Sequence, residues 1–159
     1  MYMKLVSFFY LLLFVYCSQP LTVHIIPHTH DDVGWLFTME DYYYGTNGSS
    51  RSVRTILNNM VNSLTENQNR TFIYVEIAFF EKWWKEVNET VKATVKEFIK
   101  QGRLEFINGA YSMHDEAASY YQHSIDNMRL GLMFLKREFN ITPETAWSID
   151  PFGHSSSNV

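Results

Sequence analysis

Short β-rich runs alternate with longer runs in which apolar residues recur at helical spacing, and this alternation constrains the fold of the chain most strongly. The β-rich runs cover residues 21–27, 71–77, 104–108 and 145–150, and the helical runs cover residues 51–67, 81–100 and 118–139. Residues 41–50 show neither pattern and predict an irregular loop. Strands that alternate with helices form βαβ units, in which the strands are parallel. The pattern therefore predicts an α/β fold with a parallel sheet.

The composition is that of an ordered chain with an acidic balance. Apolar residues make up 46% and charged residues 19%, which argues against intrinsic disorder. The formal net charge is −4 and no basic block is present, so we expect neither nucleic acid nor an anionic membrane surface as a partner. Cys17 is the only cysteine, which leaves no intrachain disulfide.

The first residues predict a secretory signal peptide over residues 1–17. A basic start at Lys4 precedes an uncharged apolar run over residues 5–16, which is the order of regions in such a peptide. The alternative is an N-terminal membrane anchor, but about twelve apolar residues fall short of the ~20 that span a bilayer. We expect a mature chain over residues 18–159 without a membrane anchor. Export agrees with four N-glycosylation sequons, which begin at Asn47, Asn69, Asn88 and Asn140.

Histidine and carboxylate side chains concentrate where the predicted strands end. In a parallel α/β sheet, ligand chemistry collects at the carboxyl ends of the strands. The segments that follow the four strands are 27–35, 76–81, 108–117 and 150–155. His123 is the exception among the histidines, since it belongs to the third helical run. The acidic residues beside these ends are interpreted mainly as loop caps or hydrogen-bond acceptors in a pocket wall; they are Glu76, Glu81, Asp115 and Glu116.

The segment after the first strand carries a pattern suited to a metal ion. Residues two apart in an extended chain face the same way, so His28, His30 and Asp32 share one side. An imidazole nitrogen from His30 and a carboxylate oxygen from Asp32 suit Zn²⁺ or another divalent ion. Asp31 has the opposite parity and is expected to form a turn or support the donors. The alternative is that His28 and Asp31 cap the next segment and no metal binds.

Asp150 strengthens the prediction of a metal site. It ends the fourth predicted strand, and Pro151 holds it in extended geometry, which directs its carboxylate out of the same sheet face. Two carboxylates and an imidazole supply three of the four ligands of a closed zinc site. Trp83 and Trp84, by contrast, lie within a helical run and are predicted to be core residues rather than a stacking platform for a ligand.

Three motifs resemble those of the α-mannosidases of glycoside hydrolase family 38, and the lysosomal branch is the most similar. They are His-Thr-His-Asp-Asp-Val-Gly-Trp at 28–35, Met-His-Asp-Glu-Ala at 113–117 and Trp-Ser-Ile-Asp-Pro-Phe-Gly-His-Ser at 147–155. The resemblance implies that His30, Asp32 and Asp150 bind one zinc ion and that Asp150 is also the catalytic nucleophile. It implies that Trp35 and Phe152 line the sugar pocket. The chain departs from the family at 109–111, where Gly-Ala-Tyr replaces the usual Gly-Gly-Trp.

The resemblance also implies a fold and an activity. Residues 18–159 would form the N-terminal part of a barrel-like (β/α) catalytic domain with about seven parallel strands. The intact enzyme would be a retaining, exo-acting α-mannosidase that removes terminal α-D-mannose from N-linked glycans, in the lysosome or, alternatively, after secretion. The fourth zinc ligand and the general acid would lie downstream of Val159, so the chain by itself is expected to be inactive.

Two other classes of function remain open from the sequence. A zinc-dependent amidohydrolase or carbohydrate deacetylase would use similar His and Asp ligands, but would activate water instead of using Asp150 as a nucleophile. A non-catalytic fragment could bind mannose without turnover.

Overall fold

The computed structural model describes residues 21–47, 52–115 and 120–150. These residues form five helices and two strands. In chain order the elements are α1 Met39–Tyr44, α2 Val53–Glu66, β1 Phe72–Tyr74, α3 Ile77–Glu86, α4 Glu89–Lys100, β2 Leu104–Phe106 and α5 Tyr121–Phe139. None of the helices in this part of the chain combines the length and the apolar character needed to cross a membrane. The predicted signal peptide over residues 1–17 lies outside the described residues.

The two strands pair in parallel, with Phe72 opposite Leu104 and Tyr74 opposite Phe106. Helices α3 and α4 connect them, as a parallel pair requires a crossover connection. The small sheet and its helices confirm the prediction of an α/β chain with parallel strands.

Two predicted strands are wrong. Residues 21–27 are exposed and form no strand; a single hydrogen bond, from the Ile73 amide to the Pro27 carbonyl at 3.0 Å, ties them to β1. Residues 145–150 also form no strand. A β-ladder needs repeated backbone hydrogen bonds, and the side chain of Asn108 occupies the backbone groups of Trp147 that a strand would have used.

The helical boundaries differ from the prediction in three places. The first is the start of α3 at Ile77, which lies inside the predicted strand 71–77 and four residues before the predicted helix begins. The predicted helix over 81–100 is two helices, because the Asn88 side chain accepts a hydrogen bond from the Val91 amide at 3.0 Å and starts α4 anew. The predicted loop after Asp41 begins inside α1. There a capping box joins the Thr38 and Asp41 side chains to each other's amides, and Gly45 ends the helix in the left-handed region at φ 74°.

A single aromatic core lies between the helices and the sheet. Phe80 is fully buried at its centre and contacts aromatic rings of its own helix and of β1, β2 and α5, which are Tyr74, Trp83, Trp84, Phe106, Phe134 and Phe139. Trp83 and Trp84 are buried, which confirms their assignment to the core. Their indole nitrogens donate to Asn58 and Glu138, respectively. Helix α2 buries the predicted face through Val53, Leu57, Met60, Val61 and Leu64.

Helix α5 packs directly on the segment that follows β2. A Cβ atom at Gly131 would lie 2.1 Å from the Gly109 carbonyl oxygen, so only glycine permits this approach. The Tyr111 amide donates to the Asn127 carbonyl of α5 at 3.0 Å, and the Ala78 amide of α3 donates to the Tyr111 carbonyl at 2.8 Å. The loop after β2 is therefore held from both sides at the edge where the predicted site residues lie.

Candidate functional site

The structure brings together the three predicted metal ligands. The His30 Nε2 atom lies 3.3 Å from an Asp32 carboxylate oxygen and 3.7 Å from an Asp150 carboxylate oxygen. All three side chains are partly exposed, between 36% and 49%. Asp32 and Asp150, which are 118 positions apart in the chain, thus converge on one imidazole nitrogen that solvent can reach.

The chemistry of these donors fits zinc. With Zn–N and Zn–O bonds of about 2.0–2.1 Å, neighbouring donors of a tetrahedral site lie about 3.3–3.4 Å apart, close to the two distances from His30. Within residues 21–47, 52–115 and 120–150, no group of three His, Cys, Asp or Glu side chains is already arranged to hold a metal ion. The donor set therefore fits in atom type and in two distances but is not a closed site, and the zinc ion stays a prediction.

Asp31 lies beneath the donors, on the opposite side of the chain from Asp32. It is only 6% exposed, and its carboxylate accepts a hydrogen bond from the Thr29 hydroxyl at 2.7 Å. Burial raises the pKa of Asp31, against the lowering effect of the Thr29 hydrogen bond. This placement matches the predicted parity of the segment, in which Asp31 supports the turn and His30 and Asp32 face outward.

A buried polar layer continues below Asp31 to the end of β1, and sequence reasoning missed its main member. Glu76, treated there as a cap or pocket-wall acceptor, is 3% exposed and makes no side-chain cap on α3. Burial, followed by the Asp31 carboxylate, raises the pKa of Glu76 to about 8. The Glu76 Oε2 atom is buried without a hydrogen-bond partner among the described residues, whereas the buried Tyr74 hydroxyl faces the Asp31 carboxylate. The signal was a single glutamate inside the apolar run 75–80.

The segment that leads to Asp150 is attached through Trp147. The Asn108 side chain both donates to the Trp147 carbonyl and accepts from the Trp147 amide, each at 2.8 Å. The Trp147 ring in turn contacts the His28 ring edge-on at a centroid distance of 4.6 Å. His28 therefore packs against Trp147, whereas His30 faces the carboxylates.

Of the two predicted sugar-pocket residues, the structure describes Trp35 but not Phe152. Trp35 is 73% exposed, in the turn that Gly34 begins at a φ of 93°. Phe152 and Glu116 lie outside the described residues. Glu81 pairs with Lys85 at 3.0 Å and with Arg137 at 3.7 Å, so it joins α3 to α5.

The α/β unit thus brings an imidazole and two carboxylates together at one solvent-exposed point, and convergent polar groups of this kind are typical of ligand-binding sites. Comparison with known families defines it further. Residues 20–158 match the model of the glycosyl hydrolases family 38 N-terminal domain. The chain belongs to glycosyl hydrolase family 38.

Relatives from distant organisms agree with this assignment. The chain is 53% identical over 138 residues to a probable alpha-mannosidase of Arabidopsis thaliana, covering 86% of this chain and 14% of that protein. It is 51% identical over 144 residues to the lysosomal alpha-mannosidase of Dictyostelium discoideum, covering 89% and 14%. It is 48% identical over 139 residues to the lysosomal alpha-mannosidase of Homo sapiens, covering 85% and 14%. The chain thus spans about a seventh of the length of these relatives.

Proposed function

We propose that this chain is the N-terminal part of the catalytic domain of a zinc-dependent retaining α-mannosidase, which removes terminal α-D-mannose from N-linked glycans. The observation that carries the proposal is the convergence of the His30, Asp32 and Asp150 side chains at one exposed point. Relatives named alpha-mannosidases, at about half identity over most of the chain, support the substrate class. The lysosomal relatives support a destination in the secretory pathway, and the predicted signal peptide over residues 1–17 is consistent with it.

His30, Asp32 and Asp150 would hold the zinc ion, with a further ligand supplied from outside this chain. When bound, zinc supplies positive charge that orients sugar hydroxyls and stabilises ionised carboxylates. In the chain as it stands, the His30 Nε2 atom lies within 3.7 Å of an oxygen of each carboxylate. Asp31 and the buried layer below it support the turn that presents His30 and Asp32.

Asp150 is the proposed nucleophile. Retention of configuration requires one carboxylate to attack the anomeric carbon and one acid to protonate the leaving oxygen, with water then cleaving the glycosyl ester. The Asp150 side chain is 49% exposed, so a sugar can reach its carboxylate. The acid is expected from a region beyond residue 159, within a barrel of about seven strands. Trp35 and Phe152 are proposed to contact the sugar ring.

The test is covalent trapping on the full-length protein that carries this chain. A fluorinated mannoside slows release of the glycosyl ester, and mass spectrometry of peptides then locates the labelled residue. We expect the label on Asp150, with its loss in Asp150→Asn and its retention in Asp126→Asn, a matched change on the exposed surface of α5. The absence of any label on Asp150 would instead favour a water-activating deacetylase or amidohydrolase. Mannose binding without turnover would favour the non-catalytic alternative.

A further inference from the structure

Asn108 lies two residues after β2 and contacts none of the three predicted metal ligands in the hydrogen bonds that it makes. We propose that Asn108 is a positioning residue whose side-chain amide fixes the segment 145–150 and thereby sets the place of Asp150. The part of this proposal that concerns catalysis rests on the proposed function of Asp150.

The first argument is the hydrogen bonding. The Asn108 backbone amide donates to the Thr145 carbonyl at 2.8 Å. In its side chain, the Nδ2 atom donates to the Trp147 carbonyl at 2.8 Å, and the Oδ1 atom accepts from the Trp147 backbone amide at 2.8 Å. In an antiparallel hydrogen-bonded pair, two residues exchange one donor and one acceptor each. The carboxamide reproduces that exchange with Trp147 in place of a second strand. Asn108 thus supplies, in one residue, the attachment that a β-ladder would have given to residues 145–150.

The second argument is the backbone at this position. Asn108 has a φ of 57° and Gly109 a φ of 77°, so two successive residues are left-handed. Asparagine and glycine tolerate this region better than other residues. Of these two, only asparagine also carries a carboxamide, which can donate and accept at once. The sharp turn and the attachment of Trp147 therefore require the same residue type.

The third argument is the route from Trp147 to the proposed donors. Along the chain, Asp150 follows Trp147 by three residues. Through space, the Trp147 ring contacts His28, which precedes His30 by two residues. Release of Trp147 would therefore loosen both sides of the contact between His30 and Asp150. A residue that orients ligands in this way, without binding the metal, typically contributes about 10–100-fold to metal affinity or activity.

The left-handed backbone allows a clean set of variants. Asn108→Gly keeps the favoured backbone and removes the whole side chain, and Asn108→Asp keeps the acceptor but removes the Nδ2 donor. The matched control is Asn140→Gly. Asn140 is also left-handed, with a φ of 56°, and ends α5 with a backbone hydrogen bond to Lys136. All variants are made in a host without N-glycosylation, because Asn140 begins a sequon.

The measurements separate attachment from catalysis. Hydrogen exchange of the Trp147 amide reports the attachment, zinc competition reports the donor set, and steady-state hydrolysis of a chromogenic α-mannoside gives kcat and KM. In Asn108→Gly we expect faster exchange at Trp147, with zinc affinity and kcat each lowered about 10–100-fold. Asn108→Asp should lie between Asn108→Gly and the wild type. Asn140→Gly should leave all three measurements at the wild-type values.

Two results would overturn the proposal. Unchanged exchange at Trp147 in Asn108→Gly would show that the side chain does not hold the segment. Faster exchange with wild-type zinc affinity and kcat would show that the segment does not place Asp150. If the wild-type protein does not hydrolyse mannosides, the proposed function fails. Exchange at Trp147 and zinc affinity then still decide whether Asn108 positions the Asp150 segment.

Discussion

The aromatic core around Phe80 and the two site segments, residues 28–37 and 145–150, are held in different ways. The core is a set of buried rings in mutual contact, so each side chain is fixed by many neighbours. The site segments are attached at a few points, such as the Asn108 contact with Trp147 and the Thr29 contact with Asp31. The comparison teaches that dispersed apolar packing holds the core, whereas a few polar contacts hold the segments that carry His30, Asp32 and Asp150.

The largest expected loss of stability comes from the core. Phe80→Ala removes a fully buried ring that touches both strands and helix α5, and such truncations cost about 3–5 kcal/mol. Urea unfolding of the chain checks this prediction. Leu130→Ala, at an exposed position of α5, is the control and should change the free energy of unfolding by less than about 0.5 kcal/mol. Equal effects of the two changes would contradict a core centred on Phe80.

The Glu76 carboxyl group makes the free energy of unfolding depend on pH. Its pKa rises from 4.5 to about 8 on folding, so the folded chain keeps a proton that the unfolded chain releases. The wild type therefore loses stability as the pH rises from about 4.5 towards 8. Negative charge on Asp31 or Asp32 further raises the pKa of Glu76, and the Glu76 carboxylate in turn raises the pKa of Tyr74.

Glu76→Gln should remove that loss. We expect the variant and the wild type to have similar free energies of unfolding near pH 4.5, and the variant to gain up to a few kcal/mol by pH 8. The measurement is chemical unfolding across this pH range with a chelator present. Glu105→Gln, at an exposed position of β2, serves as the matched control. A difference that stays constant with pH would contradict a proton held at Glu76.

A substitution at the contact between α5 and the loop after β2 should lower the free energy of unfolding by an intermediate amount. Gly131→Ala places a methyl group 2.1 Å from the Gly109 carbonyl oxygen, so the helix must shift. Overpacking of this kind costs about 1–3 kcal/mol. Thermal unfolding checks the loss, with Met133→Ala on the exposed side of α5 as the control. An unchanged melting temperature would show that α5 does not depend on this approach.

The smallest expected effect on stability is at Trp35. Its side chain is 73% exposed, so Trp35→Ala should change the free energy of unfolding by less than about 0.5 kcal/mol. If Trp35 contacts the sugar, KM for a mannoside rises in the full-length protein, whereas Leu36→Ala, equally exposed, leaves it unchanged. A normal KM in Trp35→Ala would remove Trp35 from the proposed sugar pocket.

Sequence patterns predicted the core better than the attachments. The buried face of α2 follows from helical spacing, because burial of a helix is periodic along the chain. The strands expected over 21–27 and 145–150 are absent from the described residues, since a ladder depends on a partner that is distant in sequence. Helix α1 had a local signal, the Thr38 and Asp41 capping box, which the prediction of a loop passed over.

For the site, too, local sequence patterns predicted some features and missed others. The two-residue period of an extended chain placed Asp31 opposite His30 and Asp32, and the structure has Asp31 buried and Asp32 exposed. A glutamate within the apolar run 75–80 was a local signal for the burial of Glu76. The contact of Asn108 with Trp147 joins residues 39 positions apart, which no local pattern encodes. The zinc ion and the roles of Asp150, Trp35 and Phe152 stay predictions.

The central claim is that His30, Asp32 and Asp150 are metal donors and that Asp31 only supports them. The most direct test is the zinc content of the full-length protein in the paired variants Asp32→Asn and Asp31→Asn, measured by elemental analysis after dialysis. The account predicts that the wild type binds one zinc ion, that Asp32→Asn loses most of it, and that Asp31→Asn retains it. A wild type without zinc, or zinc lost in Asp31→Asn and kept in Asp32→Asn, would contradict the account.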